Sequence, residues 1–327
     1  MLPAVGLAAL LLGGAAGGGW VWFASVRDRP GPLAKNTDVV VPHGGLDRLA
    51  GALGDAGVID SPPRLRLAVW LTRHDGALHA AEFTFPAHAS INQVLAILRT
   101  ARQVAHHVTI PEGLTAHQIA AVLGKAEAAS GEVARFPEGS VLPQTYAYEH
   151  GTVREAILTR ARAAMTHALD AAWADRAAGL PLGSAHEALI LASIVERETA
   201  HPDERAHVAA VYLNRLRRGM RLQADPTVVY AASGGTGLLD HKLTRAELDK
   251  DDPYNTYRNA GLPRGPICAP SLASVLAVMH PMESEDLYFV ADGSGGHVFA
   301  PTREAHERNV AKWRALLSGR LSHGSPD

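Results

Sequence analysis

The stretch Glu187-Ala188-Leu189-Ile190-Leu191-Ala192-Ser193-Ile194-Val195-Glu196-Arg197-Glu198-Thr199 decides how this chain is read. Its apolar middle, interrupted only by Ser193, predicts a helix buried in a core, yet the helix ends on two carboxylates within three residues. At 100° per residue Glu196 and Glu198 point in nearly opposite directions, so at most one of them faces a given cleft. Glu198 shares a stripe with Leu191, Ile194 and Val195, whereas Glu196 lies above Leu189, Ala192 and Ser193. A carboxyl over bulky apolar neighbours loses hydration and its pKa rises, as a general acid at neutral pH requires. Taken alone, either glutamate reads as readily as a solvated or salt-bridged helix end. Helix geometry favours Glu198 as the acid and leaves Glu196 as the alternative.

Outward from this segment the pattern is helical on both sides, with amphipathic stretches at 153–178 and 204–218. Residues 221–270 are rich in Gly, Pro, Asn and Asp and are expected to form long loops, a common seat of function. After them come a strand, Leu287-Tyr288-Phe289-Val290-Ala291, a glycine turn at 292–296, a second strand at 297–299 and a helix over 302–317. Residues 318–327 are expected to be a flexible tail.

Toward the amino terminus, strand-then-helix units are expected at 38–58, 81–102 and 107–123, with a hairpin at 65–79, giving a compact α+β module. Residues 27–37, with Pro30 and Pro32, read as a linker. Before it, residues 2–26 carry no charge and are long enough to cross a bilayer as a helix. Trp20, Trp22 and Phe23 near its end suit an interfacial belt, and the absence of a basic n-region argues against a cleaved signal. Arg27 and Arg29 follow the span, so charge by itself would favour the opposite orientation to an outward-facing domain.

Composition narrows the chemistry. The 31 Lys and Arg against 33 Asp and Glu provide no positive face for nucleic acid. The lone cysteine, Cys268, allows no intramolecular disulfide and no Cys-x-x-Cys site. Despite 17 histidines, His186-Glu187 lacks a second histidine four residues on, so the zinc-protease signature is missing. Neither a Gly-x-Ser-x-Gly elbow nor a phosphate-binding Gly-Lys-Ser/Thr loop is present. No metal or cofactor is expected, and carboxylate chemistry remains.

Several separated blocks occur in a recognisable order: 191–199, Val211-Tyr212-Leu213-Asn214-Arg215-Leu216, 219–227, Tyr254-Asn255-Thr256-Tyr257, Gly261-Leu262-Pro263, Pro266-Ile267 and 287–291. Together they resemble the endolytic murein transglycosylase (YceG-like) family over about residues 106–317. The resemblance implies a lytic transglycosylase that breaks the MurNAc–GlcNAc bond of nascent peptidoglycan strands without water and leaves 1,6-anhydro ends. It also implies a membrane anchor (residues 1–26), a LysM-like α+β module (38–105) and a mixed α/β catalytic domain (106–317) outside the cytoplasmic membrane. Peptidoglycan synthases are the partners that such a family membership suggests.

By position the family's catalytic glutamate falls on Glu198. One carboxyl suffices in that chemistry because the substrate's own C6 hydroxyl is the nucleophile. Asn214, Arg221, Gln223, Asp225, Thr227, Tyr254, Asn255 and Tyr257 are then polar candidates for holding substrate. One block departs from the family: in 138–146, Gln144 stands where an aspartate is usual, which puts that residue's role in doubt. A non-catalytic peptidoglycan-binding protein and a hydrolase are the competing readings.

Overall fold

The computed structural model describes residues 27–323, so the membrane anchor expected at residues 1–26 lies outside the described residues. No helix among the described residues is long and apolar enough to cross a membrane. The chain is α+β and divides into two compact units, one reaching to His106 and including Ala147–Thr152, the other comprising His107–Tyr146 and the chain from Val153 onward.

In the first unit β1 (Thr37–Val40) pairs antiparallel with β2 (Glu82–Phe85). Helices α1 (Leu46–Asp55), α2 (Pro62–Leu71) and α3 (Ile91–Thr100) complete it. Strand alternation sends Phe83 and Phe85 into a core with Leu53, Leu65 and Leu98, while Thr84 faces out. α3 begins with a capping box in which Ser90 and Gln93 satisfy each other's backbone N–H groups.

Three expectations need correcting here. Residues 65–79 do not form a hairpin: Pro62 and Pro63 open the helix α2, and Leu65 and Ala68, three residues apart, share its buried face. Residues 27–37 are more than a linker. Leu33 belongs to the core, the Gly31 N–H donates to the His88 carbonyl at 3.1 Å, and Thr37 opens β1. The third expected strand-helix unit also fails to join the first two, because β3 (Ala105–Thr109) pairs with β4 (Thr145–Glu149) instead.

The second unit is mainly helical: α4 (Ala116–Gly124), α5 (Arg154–Ala174), α6 (Ala185–Glu198), a 3-10 turn (Pro202–Glu204) and α7 (Arg205–Arg217). Then follow α8 (Asp225–Ala232), α9 (Arg245–Asp249), α10 (Leu272–Met279), the antiparallel hairpin β5 (Tyr288–Ala291) and β6 (His297–Ala300), and α11 (Arg303–His323). α6 is the central element, with every residue from Ala188 to Val195 buried. Leu191, Ile194 and Val195 are each fully buried, worth about 1.5–3 kcal/mol apiece relative to exposure. Its one polar interior residue is satisfied: Ser193 Oγ donates to the Ile190 carbonyl at 2.7 Å and accepts from the Ile267 N–H at 3.0 Å. That second bond straps the 263–270 loop onto the helix.

The expected long loop at 221–270 contains two helices. Pro226 sits in the first turn of α8, and Thr244 with Glu247 forms a capping box for α9. α11 continues beyond residue 317, where the sequence pattern was expected to give way to a tail.

Candidate functional site

Glu198 is the last residue of α6, and its side chain leans toward α7. There the Tyr212 hydroxyl donates to Glu198 Oε1 at 2.6 Å. Tyr212 is 1% exposed, so this bond is shielded from water. Burial pushes the Glu198 carboxyl from 4.5 up to about 7, the Tyr212 bond works against that rise, the nearby Asp225 charge adds to it, and Arg215 opposes it. The unsatisfied carbonyls at the end of a helix carry partial negative charge, which further favours a neutral acid there.

Glu196 points the other way. Its Oε2 accepts from the Ser271 N–H at 2.8 Å and from Ser271 Oγ at 2.5 Å, at the start of α10. This carboxylate is a helix-end staple. The opposite bearing of the two glutamates, inferred from 100° per residue, is thus what the packing shows.

Glu198 opens into a cleft of about 790 Å³. Tyr212, Arg215 and Met220 line it beside the carboxyl, Gln223 comes from just before α8 and Asp225 from its start, Tyr257 comes from the loop after α9, and Tyr288 and Phe289 come from β5. The remaining wall is α11, through Arg303, His306, Glu307 and Arg314.

Of the candidates from sequence, the structure brings Gln223, Asp225 and Tyr257 together with Glu198. The Tyr257 hydroxyl donates to Asp225 Oδ1. Gln223 holds a left-handed backbone, φ 51°, with its N–H on the Thr256 carbonyl at 3.2 Å. Asn214, Arg221, Thr227, Tyr254 and Asn255 do not line the cleft. Asn214 Nδ2 donates to the Ser284 and Asp286 carbonyls at 2.7 and 3.1 Å. Thr227 is buried, bonded to Ala224 and Thr256, and Tyr254 packs its ring 4.8 Å from Tyr230. Asn255 is a loop organiser: Nδ2 donates to the Glu247, Leu248 and Lys250 carbonyls, and Oδ1 accepts from the Tyr257 N–H at 2.9 Å. Arg221 is exposed and bridges to Gly261. Gln144 is exposed and does not line the cleft either.

Sequence reasoning missed Tyr212, Arg215 and the α11 wall. Tyr212 and Arg215 lay in a quoted block, and their three-residue spacing puts them on one helix face, a usable signal. Arg215 is 8% exposed; its Nε donates to the Leu287 carbonyl at 2.7 Å and its Nη1 to the Leu222 carbonyl at 2.5 Å. It therefore ties α7 to β5 and to the strand-like approach to α8 while lending positive charge to the cleft. His306 stacks on Tyr288 with ring centroids 5.1 Å apart. Burial, reinforced by the Arg215 charge and opposed by Glu307, holds the imidazole below its ordinary range. Nothing in the sequence around His306 distinguishes it from other surface-helix histidines.

Chemically, the cleft offers a carboxyl that exchanges its proton near pH 7, a second carboxylate held by a tyrosine, and one buried cation. That set suits protonation of a leaving oxygen in a neutral polar substrate, with negative charge at hand for a cationic transition state.

The profile of the YceG-like family matches residues 39–312. An endolytic murein transglycosylase from Streptococcus pneumoniae strain R6 is 33% identical across 63% of this chain and 44% of its own length. One from Bacillus subtilis strain 168 is 39% identical across 40% of this chain and 35% of its own. The chain thus spans less than half the length of these curated relatives. The crystal structure of a YceG-like protein from Listeria monocytogenes superposes with a TM-score of 0.54 at 26% identity, covering 84% of this chain and 98% of that one.

Proposed function

The chain belongs to the YceG-like family, and from that premise we propose that it is an endolytic peptidoglycan lytic transglycosylase, cutting the MurNAc–GlcNAc bond of nascent strands. The observation that carries this reading is Glu198, a carboxyl raised to about 7 at the base of a large polar cleft. A carboxylic acid with that pKa is poised to give up a proton and take one back near neutrality.

In the proposed reaction Glu198 donates its proton to the glycosidic oxygen as the C1–O bond breaks, so GlcNAc leaves with a free hydroxyl. The MurNAc C6 hydroxyl then attacks C1 and Glu198 takes its proton, which closes the 1,6-anhydro ring, consumes no water and restores the acid. Positive charge gathers at the anomeric carbon in between, and the Asp225 carboxylate, kept in the cleft by Tyr257, supplies opposing charge. Ordinary glycosidases use a second carboxyl to activate water or to form a covalent intermediate; an internal nucleophile removes that requirement.

The reading extends beyond the cleft. Residues 1–26 would anchor the chain in the cytoplasmic membrane with the catalytic unit on its outer side, supported by the uncharged run at 2–26. The first unit would be a LysM-like module, and peptidoglycan synthases would be partners, both supported by the family resemblance.

The test is incubation of the protein and of Glu198→Gln with isolated uncrosslinked glycan strands, followed by mass spectrometry. Fragments with anhydro ends from the parent protein and none from the variant are expected. A gain of water at each cut would replace the reading with hydrolysis. Binding to strands without any release would replace it with a non-catalytic wall-binding role.

A further inference from the structure

The carboxyl end of α6 is gripped by a closed circuit of contacts that begins and ends at Glu198. Thr199, the next residue, leaves the helix in extended conformation and is 4% exposed. Its Oγ1 donates to Glu204 Oε2 at 3.1 Å and accepts from the His201 N–H at 3.0 Å. Glu204 in turn takes two bonds from a single residue of the β5–β6 hairpin: the His297 N–H reaches Oε1 at 2.8 Å, and Nδ1 reaches Oε2 at 2.8 Å. Gly296 makes the approach possible, since a Cβ there would lie 2.7 Å from Glu204 Oε1.

From His297 the circuit returns through rings. His297 meets Phe289 edge-on with centroids 5.3 Å apart, and Phe289 meets Tyr212 edge-on at 5.8 Å. Tyr212 then donates to Glu198 Oε1. One arm therefore restrains the backbone that carries the acid, and the other restrains the hydroxyl that aims it. Burial would raise the Glu204 carboxyl, yet the His297 and Thr199 bonds hold it below its ordinary value, so it accepts and His297 Nδ1 carries the proton. Neither Glu204 nor His297 lines the cleft.

We propose that the Glu204–His297 pair is a positioning device for the Glu198 acid, acting on its helix end through Thr199 and on its hydrogen-bond donor through Phe289 and Tyr212. The inference rests on the glycosidic reading given above. Proton transfer is steeply sensitive to the placement of the acid, and support from groups that never touch substrate is how such placement is kept.

The experiment measures steady-state cleavage of uncrosslinked glycan strands by the full chain and by His297→Ala, His297→Asn and Thr199→Val. Each is assayed below its melting temperature, and the Glu198 carboxyl is titrated by 13C NMR. His297→Ala is expected to lower kcat roughly tenfold with KM unchanged, and His297→Asn, which restores a donor near the Nδ1 position, to recover most of it. Thr199→Val removes the bond to Glu204 together with the acceptor for the His201 N–H, keeps the side-chain shape, and should lower kcat several-fold even if His297→Ala fails to fold. The Glu198 titration should move by about half a pH unit in His297→Ala and return in His297→Asn. An unchanged kcat in the folded variants, a loss confined to KM, or a Glu198 titration that stays put overturns the positioning role. A parent protein silent on every strand overturns the glycosidic reading instead, and the NMR titration then still decides whether the pair controls Glu198.

Discussion

Tyr212 and Glu198 lie fourteen residues apart, on helices α7 and α6, and meet through a 2.6 Å hydrogen bond from the phenol to Oε1. The bond opposes the upward push of burial on the carboxyl. Tyr212→Phe should therefore raise the Glu198 pKa above about 7 and move the alkaline limb of the pH–kcat/KM profile upward. The same change frees the carboxyl to rotate, so kcat should fall roughly tenfold, in line with about 1.5 kcal/mol for a hydrogen bond to a charged group. A profile that shifts downward would mean that Tyr212 does not stabilise the carboxylate.

Asp225→Asn carries the opposite sign. The Asp225 charge raises the Glu198 pKa, and its removal should lower that pKa and bring the alkaline limb down. The two substitutions displace one limb in opposite directions, and overlaid pH–rate curves on a single strand preparation check both.

Linkage turns the same shift into a stability prediction. The folded pKa of Glu198, about 7, lies above its ordinary 4.5. The fold thus favours the neutral acid, and the stability this provides is complete below pH 4.5 and is lost as pH rises through about 7. Glu198→Gln mimics the neutral form and escapes the loss. Denaturant melts at pH 8 should show the variant more stable by roughly 1–3 kcal/mol, with the difference gone at pH 4. Equal differences at the two pH values would contradict the assignment.

Glu196→Ala should separate structure from chemistry. It removes the acceptor for the Ser271 N–H and hydroxyl at the start of α10, at a cost of about 1–2 kcal/mol. Chemical denaturation should register that cost, while the specific activity of the folded fraction stays within about twofold of the parent. A loss of several orders of magnitude in kcat would return Glu196 to the catalytic role.

Asn255→Ala should loosen the loop that presents Tyr257. Asn255 is 1% exposed, and its amide satisfies the carbonyls of Glu247, Leu248 and Lys250. Truncation leaves buried acceptors unpaired, for a loss of about 2–3 kcal/mol. Because Tyr257 hangs from the same side chain through its N–H, KM should rise several-fold even at temperatures where the variant is folded.

Much of this was legible in the one-dimensional pattern. The apolar run at 188–195, broken only by Ser193, announced a buried helix, because a stretch with no polar face can be satisfied only inside a core. Helical geometry also separated Glu196 from Glu198, since side chains two residues apart point to opposite sides whatever packs against them. The alternation in Glu82–Phe85 and the glycine turn before His297 were readable for the same local reason.

Tertiary contacts decided the rest. Leu65-Arg66-Leu67 alternates like a strand, yet two prolines at the start and the burial of Leu65 and Ala68 make it helix α2. Asp225-Pro226 suits a turn as well as a helix start, and only packing chose α8. Asn214 and Asn255 carry the same amide that binds sugar elsewhere, but each is spent on carbonyls brought near by folding, while Tyr212, Arg215 and His306 reach the cleft from segments 14 to 108 residues downstream of Glu198. Periodicity specifies which face a residue occupies and is silent on what that face meets. The sequence alone therefore determined that a glutamate ends a buried helix, and the tertiary structure determined which polar groups surround it and set its proton affinity, because desolvation and charge act through space between elements that the chain order keeps apart.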